Sequence, residues 1–307
     1  MIQENVELSK YSNYKIGGPA RYFCLAPTLE DVKKAVLWAK EKNAKIFILG
    51  GGTNLLINDS GFDGLVIKVD IQQLTTNEQV VFVGAGVLME DLLRFTIRKN
   101  LSGLEWAGGL PGTFGGAIRG NAGAFGGEIK DNILSVESLD IESVEVIKRN
   151  NSECRFNYRN SIFKERQGQE VVVSAEINLI KGDPEKIRSS IEEKIKFRKD
   201  HHPLEYPNTG STFKNVDLKQ VPQWVLEKLQ PPIKKDPFPV VPTAYLISEA
   251  GLKGRREGDC MVSPKHPNFL VNLGHATAKD VRTLIEVVKS EIKNKFNITL
   301  EEEIQIV

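Results

Sequence analysis

Three segments of the sequence carry residue types that suit chemistry on an anionic ligand. Arg159 lies in "YRNSIFK", Ser211 follows a glycine in "PNTGSTFKN", and three glutamates, Glu301 to Glu303, lie in the terminal "LEEEIQIV". The planar fork of a guanidinium suits a carboxylate. Each residue also has a structural interpretation: Arg159 in an ion pair, Ser211 in an ordinary turn, and the glutamates as a solvated charged end. No GxSxG motif surrounds Ser211, which argues against a hydrolase nucleophile.

Two glycine-rich segments predict main-chain contacts to a phosphate-bearing ligand. The first, "LGGGTNLL" at residues 49–56, follows the apolar run "KIFIL", and it matches neither the P-loop nor the Rossmann pattern. The second spans residues 108–127 and holds nine of the 26 glycines. Here Pro111 and Gly112 predict a turn, and Thr113 predicts the cap of a helix whose free N–H groups suit a pyrophosphate. Two such segments favour a long dinucleotide such as FAD, although a tight turn and a packed glycine loop are the structural alternatives.

Composition excludes several other classes of function. The 307 residues include 41 basic and 40 acidic side chains, for a net charge of +1, so nothing indicates nucleic-acid or membrane-surface binding. The cysteines, Cys24, Cys154 and Cys260, lie far apart and predict reduced buried thiols and no metal site. The first residues have no apolar signal core. We therefore expect a cytoplasmic, monomeric protein that acts on small molecules.

The predicted elements that position these residues form an α+β pattern. Thr28 and Asp31 have capping-box spacing at the start of a helix, and we expect its buried face to contain Val32, Val36, Leu37 and Ala39. Strands and helices then alternate along the chain. The segment at 216–242 holds six prolines and predicts an irregular surface insertion.

Taken together, these segments resemble the UDP-N-acetylenolpyruvoylglucosamine reductases, the MurB family of bacterial peptidoglycan synthesis. The matching stretches occur in the family's order and span nearly the whole chain: "YKIGGPA", "GGGTNLL", "DSGFDGLVI", "GLEWAGGLPGTFGGAIRGNAGAFGGE", "YRNSIFK", "GSTFKN", "SEAGLKG", "NFLVN" and "LEEEIQIV". The resemblance implies a two-part FAD-binding region of the vanillyl-alcohol-oxidase (PCMH) type, followed by a C-terminal α+β substrate domain. We expect FAD-binding parts at residues 1–70 and 71–185, and the substrate domain at residues 186–307.

The family's reaction implies a role for each of the segments described above. NADPH reduces noncovalently bound FAD, and a hydride then adds to the terminal methylene carbon of the enolpyruvyl group, which leaves negative charge on the carboxylate. The resemblance implies that Arg159 and Glu303 stabilise that charge and that Ser211 donates the proton to the alpha carbon. A carboxyl beside developing negative charge helps only if it holds or shares a proton, so we expect a raised pKa for Glu303.

The resemblance also implies the binding residues. Expected substrate contacts are Tyr158, Lys214, Asn215 and His266, although spacing alone assigns the histidines to surface or capping positions. The expected FAD-binding residues come from the two glycine-rich segments: Gly50, Gly51, Gly52, Thr53, Asn54, Leu55, Pro111, Gly112, Thr113, Gly115, Gly116, Asn121, Ala122 and Gly123.

The chain departs from the family in two ways. The chain lacks the extra tyrosine-bearing segment of one family branch and so resembles the shorter branch, and its proline-rich insertion is longer than in compact members.

One alternative function is that of another FAD oxidoreductase of the same superfamily, but neither glycine-rich segment holds the histidine or cysteine that a covalent flavin link requires. The other is a noncatalytic flavin or nucleotide-sugar binder, which would have no need for Arg159, Ser211 and Glu303 together.

Overall fold

The computed structural model describes residues 1–235 and 238–307, and the elements in this part of the chain are α-helices and mostly short strands. The helices are α1 Leu29–Glu41, α2 Met89–Lys99, α3 Phe114–Gly120, α4 Ile162–Glu165, α5 Pro184–His201, α6 Gln223–Leu229, α7 Thr243–Glu249 and α8 Ala278–Phe296. The strands are β1 Gln3–Glu7, β2 Pro19–Ala26, β3 Ile46–Leu49, β4 Leu55–Leu56, β5 Phe62–Val69, β6 Leu74–Asn77, β7 Val80–Gly84, β8 Leu101–Ser102, β9 Gly123–Ala124, β10 Gly127–Glu128, β11 Ile133–Asp140, β12 Val146–Asn150, β13 Glu170–Asn178, β14 Ile180–Lys181, β15 Val216–Asp217, β16 Val240–Val241, β17 Arg256–Glu257, β18 Cys260–Val262, β19 Leu270–Asn272 and β20 Gln305–Ile306.

The chain divides into two compact units. Unit 1 comprises Met1–Val6, Ala20–Gly52 and Phe62–Arg198, and unit 2 comprises Glu7–Pro19, Thr53–Gly61 and Lys199–Val307. The division of the FAD-binding region at residue 70 and the start of the substrate domain at residue 186 stay predictions.

Unit 1 contains a four-stranded sheet of order β1-β2-β5-β3, in which β2 and β3 both run parallel to the central β5. The run Leu65–Ile67 of β5 is fully buried, as expected for a central strand covered on both faces. Thr28 caps α1 as predicted, with its hydroxyl accepting from Asp31 N at 3.1 Å. The predicted buried face was wrong at Leu37, which is 49% exposed. The face follows the i, i+3, i+4, i+7 spacing instead, at Val32, Ala35, Val36 and Ala39.

The second sheet of unit 1 is antiparallel, in the order β12-β11-β13-β7-β6. Its central strand β13 pairs Ala175 with Val136 on one side and with Val83 on the other. One apolar core joins side chains of both sheets with those of α1, α2 and α3. Helix α3 is thereby fixed against the sheets, with Phe114 and Ile118 fully buried.

Unit 2 has its own core, built around the long helix α8 and the short antiparallel sheet β17-β18-β19. Thr277 and Asp280 form a capping box at the start of α8. At the end of the chain, the short strand Gln305–Ile306 pairs parallel with Leu55–Leu56. The pairing joins the end of the chain to the segment that follows the first glycine-rich turn.

The segment at 216–242 is more ordered than predicted. Strand β15 pairs with β16, and helix α6 lies between them in sequence. The surface-insertion prediction was wrong for five buried valines. Val240 is one of them, and the other four belong to the core of unit 2: Val216, Val221, Val225 and Val241. Residues 236 and 237 of this segment lie outside the described residues.

Cys24, Cys154 and Cys260 are buried and form no disulfide, as predicted. Burial raises the pKa of Cys154 to about 11 and that of Cys260 to about 12, so both stay protonated thiols at neutral pH. Within the described residues, no helix has the length and apolar character needed to span a bilayer.

Candidate active site

The turn at residues 50–52 packs directly against the second glycine-rich segment, and both lie in unit 1. A Cβ atom on Gly51 would come within 2.6 Å of Gly112 Cα and 2.9 Å of Thr113 N, and one on Gly50 would come within 2.8 Å of the Thr113 hydroxyl. Gly52 adopts a left-handed φ of +64°, which L-residues with a side chain rarely adopt. The turn at 50–52 therefore needs glycine for close main-chain approach, as a cradle for a phosphate-bearing ligand requires.

Helix α3 begins as the sequence predicted. Thr113 is its N-cap and accepts from Gly116 N at 3.4 Å, and the preceding Gly112 has φ of +103°. Gly115 has a packing role as well, because its N–H donates to Ala85 O and an added Cβ would lie 2.7 Å from Ala85 Cβ.

The far end of α3 is fixed by the buried Asn121, which has φ of +43° and donates from its side chain to Asn157 O at 3.0 Å. Ala122 N then donates to Ala117 O at 2.9 Å. Pro111 is exposed at the start of the segment. The glycine-rich segment is thus a capped short helix whose two ends are both held in place.

A cation beside the first turn was missed by sequence reasoning. Lys68, on strand β5, donates from Nζ to Gly50 O at 3.3 Å, and burial lowers the pKa of its ammonium. A lysine inside the apolar run "GLVIKVD" was the available signal, since a charge in a buried strand needs a partner.

The close approach of the two glycine-rich segments gives a direct test. Gly51→Ala should lower the FAD content of the purified protein, because overpacking costs about 1–3 kcal/mol and would displace Gly112. Gly120→Ala is the matched control, since a Cβ there meets nothing within 4 Å. The ratio of flavin to protein absorbance and the Tm with added FAD measure the effect. Equal FAD content in the two variants would contradict the prediction that the contact between these two glycine-rich segments is needed to bind FAD.

Arg159 lies at the tip of a tight turn in unit 1, closed by hydrogen bonds between Asn157 and Asn160. Its backbone has φ of +53°, an uncommon conformation for arginine of the kind often found at functional sites. Its Nη2 donates to Gly123 O at 2.9 Å, and its guanidinium lies 5.2 Å from the centre of the Tyr158 ring. The structure therefore brings Arg159 and Tyr158 to the end of the glycine-rich segment.

Ser211 lies in unit 2, after Gly210, whose φ is +79°. The two residues that follow it are held by the buried Asn268, whose main-chain oxygen accepts from Thr212 N at 2.7 Å and whose side chain exchanges hydrogen bonds with the main chain of Phe213. Sequence reasoning missed Asn268, although a buried amide within the apolar "NFLVNL" was a signal. The position of the Ser211 main chain is thus fixed from a segment more than 50 residues away.

Glu303 lies beside the same segment in unit 2. Its N–H donates to Thr212 O at 2.8 Å, and its carbonyl accepts from Asn54 Nδ2 at 3.1 Å. Asn54 O in turn accepts from Gln305 N at 3.0 Å. Of the predicted residues, the structure therefore brings Asn54, Ser211 and Glu303 together within unit 2.

The other two glutamates have different partners. Glu301 forms an ion pair with Lys214, and Glu302 forms one with Lys289 at 3.0 Å. Both carboxylates are thus paired with lysines of unit 2, and the choice of Glu303 as the catalytic acid stays a prediction. Lys214 and Asn215 serve local structure too: Lys214 N donates to Glu301 O, and the Asn215 side chain accepts from Thr243 N at 3.2 Å.

His266 packs its ring against Phe269, with ring centres 4.6 Å apart. Burial, together with the nearby positive charge of Lys234, lowers the pKa of His266 to about 4. Its imidazole is therefore neutral at pH 7, which suits hydrogen bonding to a neutral group better than binding to an anion.

Two protein-family models match the chain, and each covers residues that the sequence predicts for the site. The model for the C-terminal domain of UDP-N-acetylenolpyruvoylglucosamine reductase matches residues 202–307, and that for an FAD binding domain matches residues 20–148. Each of the two glycine-rich segments thus lies within the match to the FAD-binding domain, and Ser211 and Glu303 lie within the match to the reductase domain.

Individual relatives match over the full length. UDP-N-acetylenolpyruvoylglucosamine reductase of Clostridium novyi is 38% identical over 307 residues, covering 100% of this chain and 92% of the relative. That of Pediococcus pentosaceus is 36% identical, covering 100% and 94%. The crystal structure of the Thermus caldophilus reductase (MurB) superposes with a TM-score of 0.79 at 31% identity, covering 100% of this chain and 99% of that one. The chain therefore belongs to the UDP-N-acetylenolpyruvoylglucosamine reductase family, and it is an FAD-dependent oxidoreductase of peptidoglycan precursor synthesis.

Proposed function

We propose that this enzyme uses NADPH to reduce the enolpyruvyl ether of UDP-N-acetylglucosamine to UDP-N-acetylmuramate, with Arg159, Ser211 and Glu303 as its catalytic residues. When bound, FAD would supply the hydride-transfer chemistry between NADPH and the terminal methylene carbon of the substrate. The observation that supports the proposal is the main-chain hydrogen bond from Glu303 N to the carbonyl of Thr212, the residue that follows Ser211.

Residues 50–52 and 111–116 would hold the cofactor. The fit rests on the close approach of Gly51 to Gly112, where neither residue carries a side chain. Asn121, Ala122 and Gly123 would continue the contact at the other end of α3, and Thr53, Asn54 and Leu55 would extend it from the first turn. Main-chain N–H groups and small residues can approach a diphosphate closely. This explains why the chain contains so many glycines here, despite the entropy lost when they are ordered.

Arg159 would bind the substrate carboxylate, where charge accumulates after reduction of the methylene carbon. A guanidinium held at a fixed position stabilises that charge without reorganising during the reaction. Ser211 would donate its hydroxyl proton to the alpha carbon, and Glu303 would share a proton with the developing acid. Tyr158, Lys214, Asn215 and His266 would bind the remainder of the substrate. These assignments follow the resemblance residue by residue, and the local geometry supports the placement of Ser211 beside Glu303.

The cellular location of the enzyme follows from its substrates. NADPH and nucleotide sugars are cytoplasmic metabolites, so we propose that the enzyme acts in the cytoplasm. We also propose that the enzyme is a monomer.

The first experiment tests cofactor and reaction together. The purified protein should be yellow, release FAD on acid or heat denaturation, and bleach when mixed anaerobically with NADPH. Addition of the enolpyruvyl substrate should then restore the oxidised spectrum. Colour that stays with the denatured polypeptide would contradict noncovalent binding, and a bleached enzyme that the substrate fails to reoxidise would contradict the proposed reaction.

A further inference from the structure

Arg198, near the end of α5 in unit 1, is a charged residue that the assignments above leave unused. Its Nε donates to Gly108 O at 2.8 Å, and its guanidinium carbon lies 5.3 Å from the centre of the Phe125 ring. Gly109, at φ of +71°, leaves room for its side chain, since an added Cβ would lie 3.0 Å from Arg198 Cδ. The guanidinium is therefore held on the glycine-rich segment at two points.

Arg159 is anchored on the same segment. Its Nη2 donates to Gly123 O, two residues before the Phe125 ring that lies against Arg198. Burial, and then the positive charge of Arg159, lower the pKa of Arg198 to about 10. Arg198 thus stays cationic at neutral pH, close enough to Arg159 for the two charges to repel.

One end of the Arg198 guanidinium is left for a ligand. Its Nη2 is buried, and within residues 1–235 and 238–307 it has no hydrogen-bond partner. A buried donor on a charged group is costly to leave unsatisfied, and a second positive charge nearby adds to that cost. An oxyanion bound at this point would satisfy the donor and offset the repulsion.

The geometry points to Arg198 as a second anion-binding residue that, together with Arg159, binds the carboxylate of the enolpyruvyl group. The inference rests on the proposed function, because the carboxylate is the anion that we assign to Arg159. Two guanidinium forks on one carboxylate would fix its plane, and with it the position of the methylene carbon that is reduced.

The experiment compares two ligands that differ in the carboxylate. The oxidised holoenzyme is titrated with enolpyruvyl-UDP-N-acetylglucosamine and with UDP-N-acetylglucosamine, which has the same diphosphate and no carboxylate, and calorimetry gives each Kd. Arg198→Met should weaken binding of the first by at least about tenfold, the size expected for a lost charge-assisted hydrogen bond, and leave the second unchanged. Arg198→Lys keeps the charge without the fork and should show a smaller loss.

Arg188→Met, an exposed arginine on the same helix, is the matched control and should bind both ligands like the wild type. Retained FAD and an unchanged Kd for UDP-N-acetylglucosamine show that a variant is folded. Equal weakening of both ligands would overturn the inference, because Arg198 would then bind the diphosphate. Slower flavin reduction by NADPH with unchanged substrate affinity would also overturn it, by placing Arg198 at the cofactor. A wild-type enzyme that the substrate fails to reoxidise would instead contradict the proposed function.

Discussion

Ser211→Ala should leave reduction of the flavin by NADPH close to the wild-type rate and slow its reoxidation by the enolpyruvyl substrate by about 10²–10⁴-fold, the usual contribution of a positioned general acid. The reason lies in the order of the two half-reactions, since only the second needs a proton at the alpha carbon. Stopped-flow absorbance of the flavin, recorded separately for each half-reaction, measures both rates.

The variant should fold, because the contacts that fix this segment come from its neighbours. Thr212 and Phe213 are held by Asn268 through main-chain atoms, which the change at 211 leaves intact. Ser290→Ala, at an exposed position of α8, is the matched control and should leave both half-reactions unchanged. Equal slowing of reduction and reoxidation in Ser211→Ala would indicate damage to the fold or to FAD binding, and would contradict a role confined to proton donation.

Local parts of the fold were predictable because short-range chemistry determines them. Thr28 and Thr113 were identified as caps from the spacing of polar residues and glycine within four positions, and both cap their helices. Leu37 was placed on the wrong face because it is apolar and adjacent to the true stripe, and only packing decides which neighbour is buried. The proline-rich segment misled for a related reason: six prolines indicate irregular chain, but they do not prevent the intervening valines from entering a core.

Individual residues of the site could be predicted from the sequence, but the contacts between them could not. The glycine-rich segments and Arg159 could be named from residue types, yet the contact of Gly51 with Gly112 joins positions some 60 residues apart and depends on how the strands pair. Asn268 and Arg198 were assigned no role from the sequence. Their positions depend on hydrogen bonds to distant main chain, at Phe213 and at Gly108, which only a folded chain brings within reach.

Glu303→Gln should retain FAD and be reduced normally by NADPH, while its turnover of the enolpyruvyl substrate falls by about 10²–10⁴-fold. Glutamine preserves the size of the side chain and can donate a hydrogen bond, but it cannot release or share a proton. The variant should therefore lose kcat with little change in KM, since charge stabilised only in the transition state affects kcat.

The neighbouring glutamate supplies the control for this prediction. Glu302→Gln removes an ion pair with Lys289, whose ammonium also pairs with Glu286, so its effect should be limited to a small loss of stability. The main chain at Glu303 is held by Thr212 and Asn54 whatever side chain it carries, so Glu303→Gln should keep the wild-type Tm. If Glu303→Gln turned over normally and Glu302→Gln did not, the proton-sharing acid would be Glu302. The pairing of Glu302 with Lys289 would then have to open during each catalytic cycle, and the rate should rise with ionic strength, because salt screens a partly exposed ion pair.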